Sequence, residues 1–599
     1  MEKLHFAQLV FAQAKKYGER TALCYRDKAG DEWKKLSWNA MANQALTLAK
    51  AFVELGVTEQ QRVAQFSQNK AENLIVDFAL FADRAVLVPM YATSSASQVE
   101  FIVNDAEIEI IFVGDQNQYN IAVEVLENSK FLKKIIAFDP KVVFTDKEHS
   151  MYYSDLLKIG EKSTKHFEVQ QRQNEAIGKD LSCILYTSGT TGNPKGVMLP
   201  HSCFKEAMRT HTMRLTSITD KDTSIAFLPL SHVFERTWCY FCFFKGVTIY
   251  INQFPTEIQQ TIKEVRPTLM CAVPRFWEKV YAGVNENISK FSPFMQGVVT
   301  WAIAIGKEYN LDYLRTGKKP GFILKQKYNL ADRLIFSKLK QTLGIENANM
   351  LPTAGARLSD DIATFFKSIG IPIIYGYGLT ESTATVACYD YVNYEIGTVG
   401  TIMPDLEVRI GEDNEIQIKG KTIFPGYYNN TEATKAAFTE DGWFKTGDAG
   451  YIKDNKLVMT ERIKDLFKTS NGKYIAPQEI ETRLAMDKYI EQVAAIGDNK
   501  NFVTAIIHPA IPALETYAKK NNIKYESTDD LLKNPAIYRL IEERVGIQQK
   551  GMANYELIKR FTLINKNFGI ETGELTNTLK IRRAVVMQKY KTQIDEMYA

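Results

Sequence analysis

The chain has 599 residues, with 74 Lys+Arg against 70 Asp+Glu and a net charge of +4. At about 150 residues per domain this length predicts several compact units, and the near-neutral balance excludes a disordered polyelectrolyte and gives no reason to expect nucleic acid as a partner. Hydrophobic residues at 45% and charged residues at 24% are ordinary for a globular protein, and 34 Gly with 18 Pro exclude collagen-like or linker-dominated chains.

Seven cysteines are too few for a disulfide scaffold and odd in number, which predicts a reduced, cytoplasmic setting. Cys239 and Cys242 form a lone CxxC inside the aromatic run WCYFCFF, without the second pair a zinc site needs, so a packed core element is expected there. The N-terminus has no long apolar stretch and no small-residue cleavage site, unlike a secretory signal. The most apolar windows, 237–244 and 294–305, fall short of the ~20 residues that span a bilayer. Peripheral contact at the inner membrane face stays open.

In chain order, Ser37 precedes a helical pattern over 38–55 that stops at Gly56. A strand over 62–66, a helix over 71–81 and a strand over 85–89 follow, an alternation that predicts a sheet covered by helices. Further short, apolar, β-branched runs at 181–187, 224–228, 247–252, 268–273 and 371–375 read as buried strands. From about Gly397 the segments 406–410, 415–418 and 456–459 alternate or are turn-bounded, which suits antiparallel structure. Strands at 492–497 and 502–509 come after a charged stretch, ERIKD. The expected fold is α/β. A large N-terminal domain (1–463) holds two α/β sub-sheets and a small β-barrel-like subdomain. A small, mobile α+β lid domain (464–599) follows it.

The sharpest motif is YTSGTTGNPKG at 186–196, directly after an apolar strand. Glycines let backbone N–H groups turn toward an anion, hydroxyls add donors and the lysine adds charge, so the loop reads as a phosphate cradle. It is not GxxxxGK[ST], because Pro194 stands where that motif needs its second glycine. The rival reading is a flexible polar turn.

This loop resembles the signature of the adenylate-forming superfamily, which includes the acyl-CoA synthetases, luciferases and peptide-synthetase adenylation domains. YGYGLTE (375–381), GWFKTGD (442–448), RIKD (462–465) and TNTLK (576–580) follow in the family's order, so the resemblance covers essentially the whole chain. LPLSHVFER (228–236), VPRFWEKVY (273–281), KTSNGKYIAPQEIE (468–481) and an additional stretch between Ala282 and Asn349 are most similar to long-chain fatty acid–CoA ligases.

The resemblance implies two steps: a carboxylate attacks the α-phosphorus of ATP, and the thiol of coenzyme A then attacks the acyl-adenylate and expels AMP. Fatty acid, ATP and CoA are the implied substrates. Thr187, Ser188, Gly189, Thr190, Thr191, Gly192 and Lys195 would embrace the β- and γ-phosphates. Glu381 would hold Mg²⁺, a hard cation suited to a carboxylate. Thr380 would bond the α-phosphate, and Tyr377 would stack on adenine beside Tyr375 and Gly376. Gly355 and Ala356 would let adenine lie on the backbone. Where relatives often read GGAPL, this chain has Ala354 and Arg357.

Asp448 would grip both ribose hydroxyls, its rival reading being a turn aspartate, and Arg462 would add to the ribose and phosphate side. Lys580 would bridge carboxylate and α-phosphate from the lid, with Lys464 as the hinge and Gly472 facing the pantetheine tunnel. His232 would sit beside the carboxylate pocket, or simply face the core. The aromatic run 238–244 would serve as core or tunnel wall. A free acyl carrier protein as acceptor, a luciferase-like oxygenase and a non-catalytic nucleotide sensor are the competing readings. The chain ends soon after Lys580, so no carrier domain is expected in cis.

Overall fold

The computed structural model describes residues 5–28, 30–187, 194–462, 467–470, 474–570, 572–576 and 580–599. The N-terminal expectations hold closely. Ser37 caps the helix Trp38–Glu54 by accepting from the Ala40 N–H, and the strand Arg62–Phe66, the helix Ala71–Ala82 and the strand Val86–Met90 follow.

Those strands belong to a seven-stranded sheet, parallel except for its last strand, which pairs antiparallel with Leu181–Thr187. Alternate residues of one strand point to opposite faces. Ile110 and Phe112 therefore enter the main core, while Ile111 and Val113 enter a second core on the other face. A five-stranded sheet built from Thr21–Tyr25, Lys34–Ser37, Thr223–Ala226, Thr248–Ile251 and Leu269–Met270 forms the second α/β unit. The main core fills the space between the two sheets, and Trp38, Phe78 and Tyr240 are fully buried in it.

The expected barrel-like unit corresponds to the antiparallel strands Leu406–Ile410, Glu415–Gly420, Phe444–Lys453 and Lys456–Arg462. They continue an eight-stranded sheet that begins with the parallel pair Leu351–Thr353 and Ile373–Tyr377. The strand predicted at 371–375 starts two residues later, since Pro372 has no N–H for the ladder. The strand predicted at 268–273 shortens to Leu269–Met270, because Pro274 opens the helix Pro274–Ser289. The additional stretch after Ala282 is largely helical: a π-helical turn, Glu308–Tyr313, extends Pro293–Lys307, and a second, Asp332–Phe336, joins Phe322–Ala331 to Ser337–Leu343.

The C-terminal region has cores of its own. Its three strands, Ile490–Ile496, Val503–Pro509 and Ile558–Leu563, form a separate sheet. Val493, Ala495 and Ala505 face a core under the helices Ile511–Lys520 and Pro535–Gln548, whereas Ala494, Ile496 and Ile506 face one under Arg583–Lys589 and Lys591–Tyr598. All seven cysteines are free and buried, so Cys239 and Cys242 are core residues of the helix Val233–Lys245.

Candidate active site

Parallel strands align their carboxyl ends on one edge, and the loops leaving that edge build a crevice. In this chain Gln68 and Asn69 follow the strand Arg62–Phe66, and Phe227 follows Thr223–Ala226. Gly355 follows Leu351–Thr353, and Thr380 follows Ile373–Tyr377. All of them line one cleft of about 1830 Å³. Sites for drug-sized ligands run about 300–1,000 Å³, so this cleft has room for a nucleotide and a second, long substrate together.

Thr187 ends its strand opposite Lys195 in the antiparallel register, and both line the cleft. Ser188, Gly189, Thr190, Thr191 and Gly192 lie outside the described residues. The Lys195 ammonium stands over the Tyr427 ring at 5.1 Å. The Tyr427 hydroxyl donates to Glu381 Oε1 at 2.9 Å, so one tyrosine ties the base of the phosphate loop to the expected metal carboxylate. Burial, with the Glu381 charge beside it, raises the Tyr427 phenol, which therefore stays a donor. No local pattern singles Tyr427 out; it is one aromatic in FPGYYNN.

Tyr377 is buried, and its hydroxyl donates to Asp448 Oδ2 at 2.6 Å. Asp448 lies on the strand Phe444–Lys453 and is 2% exposed, yet it lines the cleft. Arg462 is its partner across the ladder; the side chain of Arg462 lies outside the description, as do Lys464 and Gly472 entirely. Gly378 has no alternative: a Cβ there would lie 1.4 Å from the Ala384 carbonyl oxygen. Tyr375 donates to the Ala356 carbonyl at 3.0 Å and accepts from the Leu358 N–H, which holds the Gly355–Ala356 backbone at the cleft edge. Gly355 has φ +95°, a region glycine occupies without strain. Gly376 pairs with Cys388 in the sheet and lines the cleft, and Thr380 opens the one-turn helix Thr380–Ser382.

His232 is the N-cap of the helix Val233–Lys245, its Nδ1 accepting from the Phe234 N–H at 3.2 Å. It lines the cleft beside Phe227, Leu230, Val233, Phe234 and Trp238, an apolar arm. The aromatic run is thus both wall and core: Trp238 lines the cleft, and Tyr240 and Phe243 are buried beneath it. Burial, reinforced by the Lys580 ammonium, pushes the His232 imidazole down to about 4, so it is neutral at physiological pH.

The loop that carries His232 is clamped from below. Asn69 donates to the Leu228 carbonyl and accepts from the Leu230 N–H. Arg236 donates to the Leu230 carbonyl at 2.6 Å and pairs with the fully buried Asp77, to which Tyr240 also donates. Sequence reasoning missed Asn69 and Asp77. The polar run Ser67–Asn69 after a buried strand is the signal that marks Asn69.

Lys580 lines the same cleft from the C-terminal region, with Thr576, Ile581 and Arg582. Contacts across to that region include Arg357 with Glu479 at 2.9 Å and Arg275 donating to the Glu491 carbonyl at 2.9 Å. Arg357 therefore reaches across the boundary between the two regions.

Family models match at both ends of the chain: "AMP-binding enzyme" over residues 10–428 and "AMP-binding enzyme C-terminal domain" over residues 464–599. The chain is 32% identical over 578 residues to the long-chain-fatty-acid–CoA ligase FadD15 of Mycobacterium bovis, covering 94% of this chain and 92% of that one. It is 29% identical to the long-chain-fatty-acid–CoA ligase ACSBG2 of Xenopus laevis, covering 99% and 83%. In fold it is similar to the adenylation domain of a carboxylate reductase from Mycobacterium chelonae, with a TM-score of 0.76 at 21% identity, covering 100% of this chain and 92% of that one. With a cleft at the strand ends and family models matched on both sides of it, the chain belongs to the AMP-binding enzymes.

Proposed function

We propose that this enzyme ligates a long-chain fatty acid to coenzyme A, using ATP, through an acyl-adenylate, and releases AMP and pyrophosphate. The observation that carries the reading is the convergence of Lys195, Glu381, Asp448 and Lys580, from four separate segments, on one cleft with an apolar arm. The relatives named for long-chain fatty acid–CoA ligation support the choice of substrates.

In the first step a carboxylate oxygen bonds to the α-phosphorus and the bond to pyrophosphate breaks. Negative charge crowds there, and fixed cationic donors in a desolvated cleft stabilise it. Lys195 serves the β- and γ-phosphates, Lys580 the α-phosphate and the attacking carboxylate, and Asp448 the ribose. In the second step the CoA sulfur bonds to the acyl carbon and AMP leaves. His232, neutral, lines the acyl side without bringing a second cation against Lys580.

Glu381 is the residue that would hold Mg²⁺. Its carboxylate accepts from the Tyr427 hydroxyl, which holds it at the cleft where it would meet a hard cation. When bound, Mg²⁺ neutralises phosphate charge.

Thioester formation measured from acetate to palmitate, with CoA and acyl carrier protein as rival acceptors, tests the reading. AMP and pyrophosphate are expected, with CoA as acceptor and kcat/KM rising up to chains of about twelve carbons or more, since each buried CH₂ is worth about 0.8 kcal/mol. ADP and free phosphate as primary products would mean attack at the γ-phosphorus and would sink it.

A further inference from the structure

The helices Phe322–Ala331 and Ser337–Leu343, with the π-helical turn Asp332–Phe336 between them, form one rod of ~33 Å at 1.5 Å per residue. Its inner side is accounted for: Leu324, Tyr328, Ala331, Phe336 and Leu339 pack against the main core. A surface helix then presents polar residues on its other face. This one does not. Phe322 is 76% exposed, Ile323 71%, Leu330 43% and Leu334 38%. Ile323, Lys327, Leu330, Leu334 and Lys338 are spaced i, i+4, i+7, i+11 and i+15, a single outward stripe.

The charge around the stripe is one-sided. Residues 314–343 contain eight Lys or Arg and one acid, Asp332, in a chain whose net charge is only +4. Asp332 is already paired with Lys340 and bonded to Ser337. Glu308 and Asp312, on the preceding π-helical turn, are the nearest acids earlier in the chain. Exposed apolar side chains interleaved with lysines match the face that lies in a lipid interface, with apolar groups entering the acyl boundary and cations meeting anionic headgroups. A second copy of the chain is a poor occupant, because a two-fold contact would set this basic face against itself.

We propose that this rod docks the protein on an anionic lipid surface through Phe322, Ile323, Leu330 and Leu334, held by Lys325, Lys327 and Lys338. The proposal goes beyond the catalytic reading and does not depend on it, since vesicle binding needs neither ATP nor CoA.

The test is co-sedimentation of the full chain with vesicles of pure phosphatidylcholine or of phosphatidylcholine with phosphatidylglycerol. Binding to the anionic vesicles, weakened by added salt, is expected. Each basic residue at such a surface is worth about fivefold in partitioning, so Lys325→Gln with Lys327→Gln should lower it about 25-fold. Phe322→Ser with Ile323→Ser should release the protein while leaving the thermal unfolding midpoint unchanged, because both side chains already face solvent. Absence of binding, binding that ignores lipid charge and salt, or binding unaffected by either pair overturns the proposal. So does self-association of the wild type that Leu330→Glu abolishes, since a second copy would then be the occupant.

Discussion

The cleft has two walls, and different forces hold them. On the large-domain side, side chains that face the cleft are tied to fixed partners: Tyr377 to the buried Asp448, Tyr427 to the half-buried Glu381, and the buried Asn69 to the backbone of residues 228–230. The C-terminal wall is built on separate cores, and its contacts with the large domain include an ion pair whose members, Arg357 and Glu479, are both nearly half exposed. An exposed pair contributes about 0–1 kcal/mol, whereas a buried partner removed leaves an unsatisfied group costing about 1–3 kcal/mol. The first wall is preorganised. The second has cores of its own and sets Met486 against the main one, and we propose that it acts as a lid that completes one half-reaction and leaves for the other.

The largest effect that would break this contrast is at Lys580. Lys580→Ala is expected to slow acyl-adenylate formation about 10²–10³-fold, while a supplied acyl-adenylate still passes to CoA at near wild-type rate. Single-turnover kinetics on each half-reaction decide it; equal loss in both means the C-terminal wall does not withdraw.

Next comes the ribose side. Asp448→Ala should raise the KM for ATP about tenfold or more, since a hydrogen bond to a charged group is worth about 1.5–3 kcal/mol. It should leave kcat less affected, because a ribose grip serves ground and transition states alike. Tyr377→Phe should show the same pattern at smaller size, as it loosens Asp448 without removing it. An unchanged KM in both would make Asp448 a turn residue.

Beneath the rigid wall, Glu235 is fully buried, and among the described residues its Oε2 has no hydrogen-bond partner. Burial holds its carboxyl well above the usual carboxylate range, against a hydrogen bond with the Leu228 backbone. The folded state therefore keeps a proton that the unfolded state gives up, so this residue lowers stability as pH rises through the ordinary glutamate range toward its raised value. Glu235→Gln should remove that slope and stabilise the protein by about 1–3 kcal/mol at pH 8, with little effect at pH 4. Urea unfolding at the two pH values measures it, and an equal shift at both would contradict the assignment.

The smallest effect sharpens the comparison from the other side. Arg357→Ala and Glu479→Ala, singly and together in a double-mutant cycle on adenylation rate, should give a coupling below about 1 kcal/mol. Coupling well above that would show the C-terminal wall to be locked rather than resting.

Much of this was legible in local sequence. The strands Arg62–Phe66, Leu181–Thr187 and Leu406–Ile410 lie at their predicted bounds, since a short apolar or alternating run between turn residues needs only its own side-chain pattern to specify extended backbone. The chemical character of the phosphate loop was local too, in the hydroxyls and glycines before Lys195, whereas Glu381 and Asp448 stand out only through the resemblance of YGLTE and TGD to the family's motifs. What the chain could not announce were pairings between distant residues. Tyr427 meets Glu381 across 46 positions, Arg236 meets Asp77 across 159, and Arg357 meets Glu479 between two regions with separate cores. Such contacts have no periodicity and no neighbouring signal. They exist because tertiary packing brings distant segments together, Arg236 and Asp77 from two helices and Tyr427 and Glu381 from two segments at the cleft, where polar groups taken from water must satisfy one another. The outward stripe of the rod belongs to both accounts: its spacing is written in the sequence, but only packing of the opposite face against the core decided that Ile323, Leu330 and Leu334 would be left facing water.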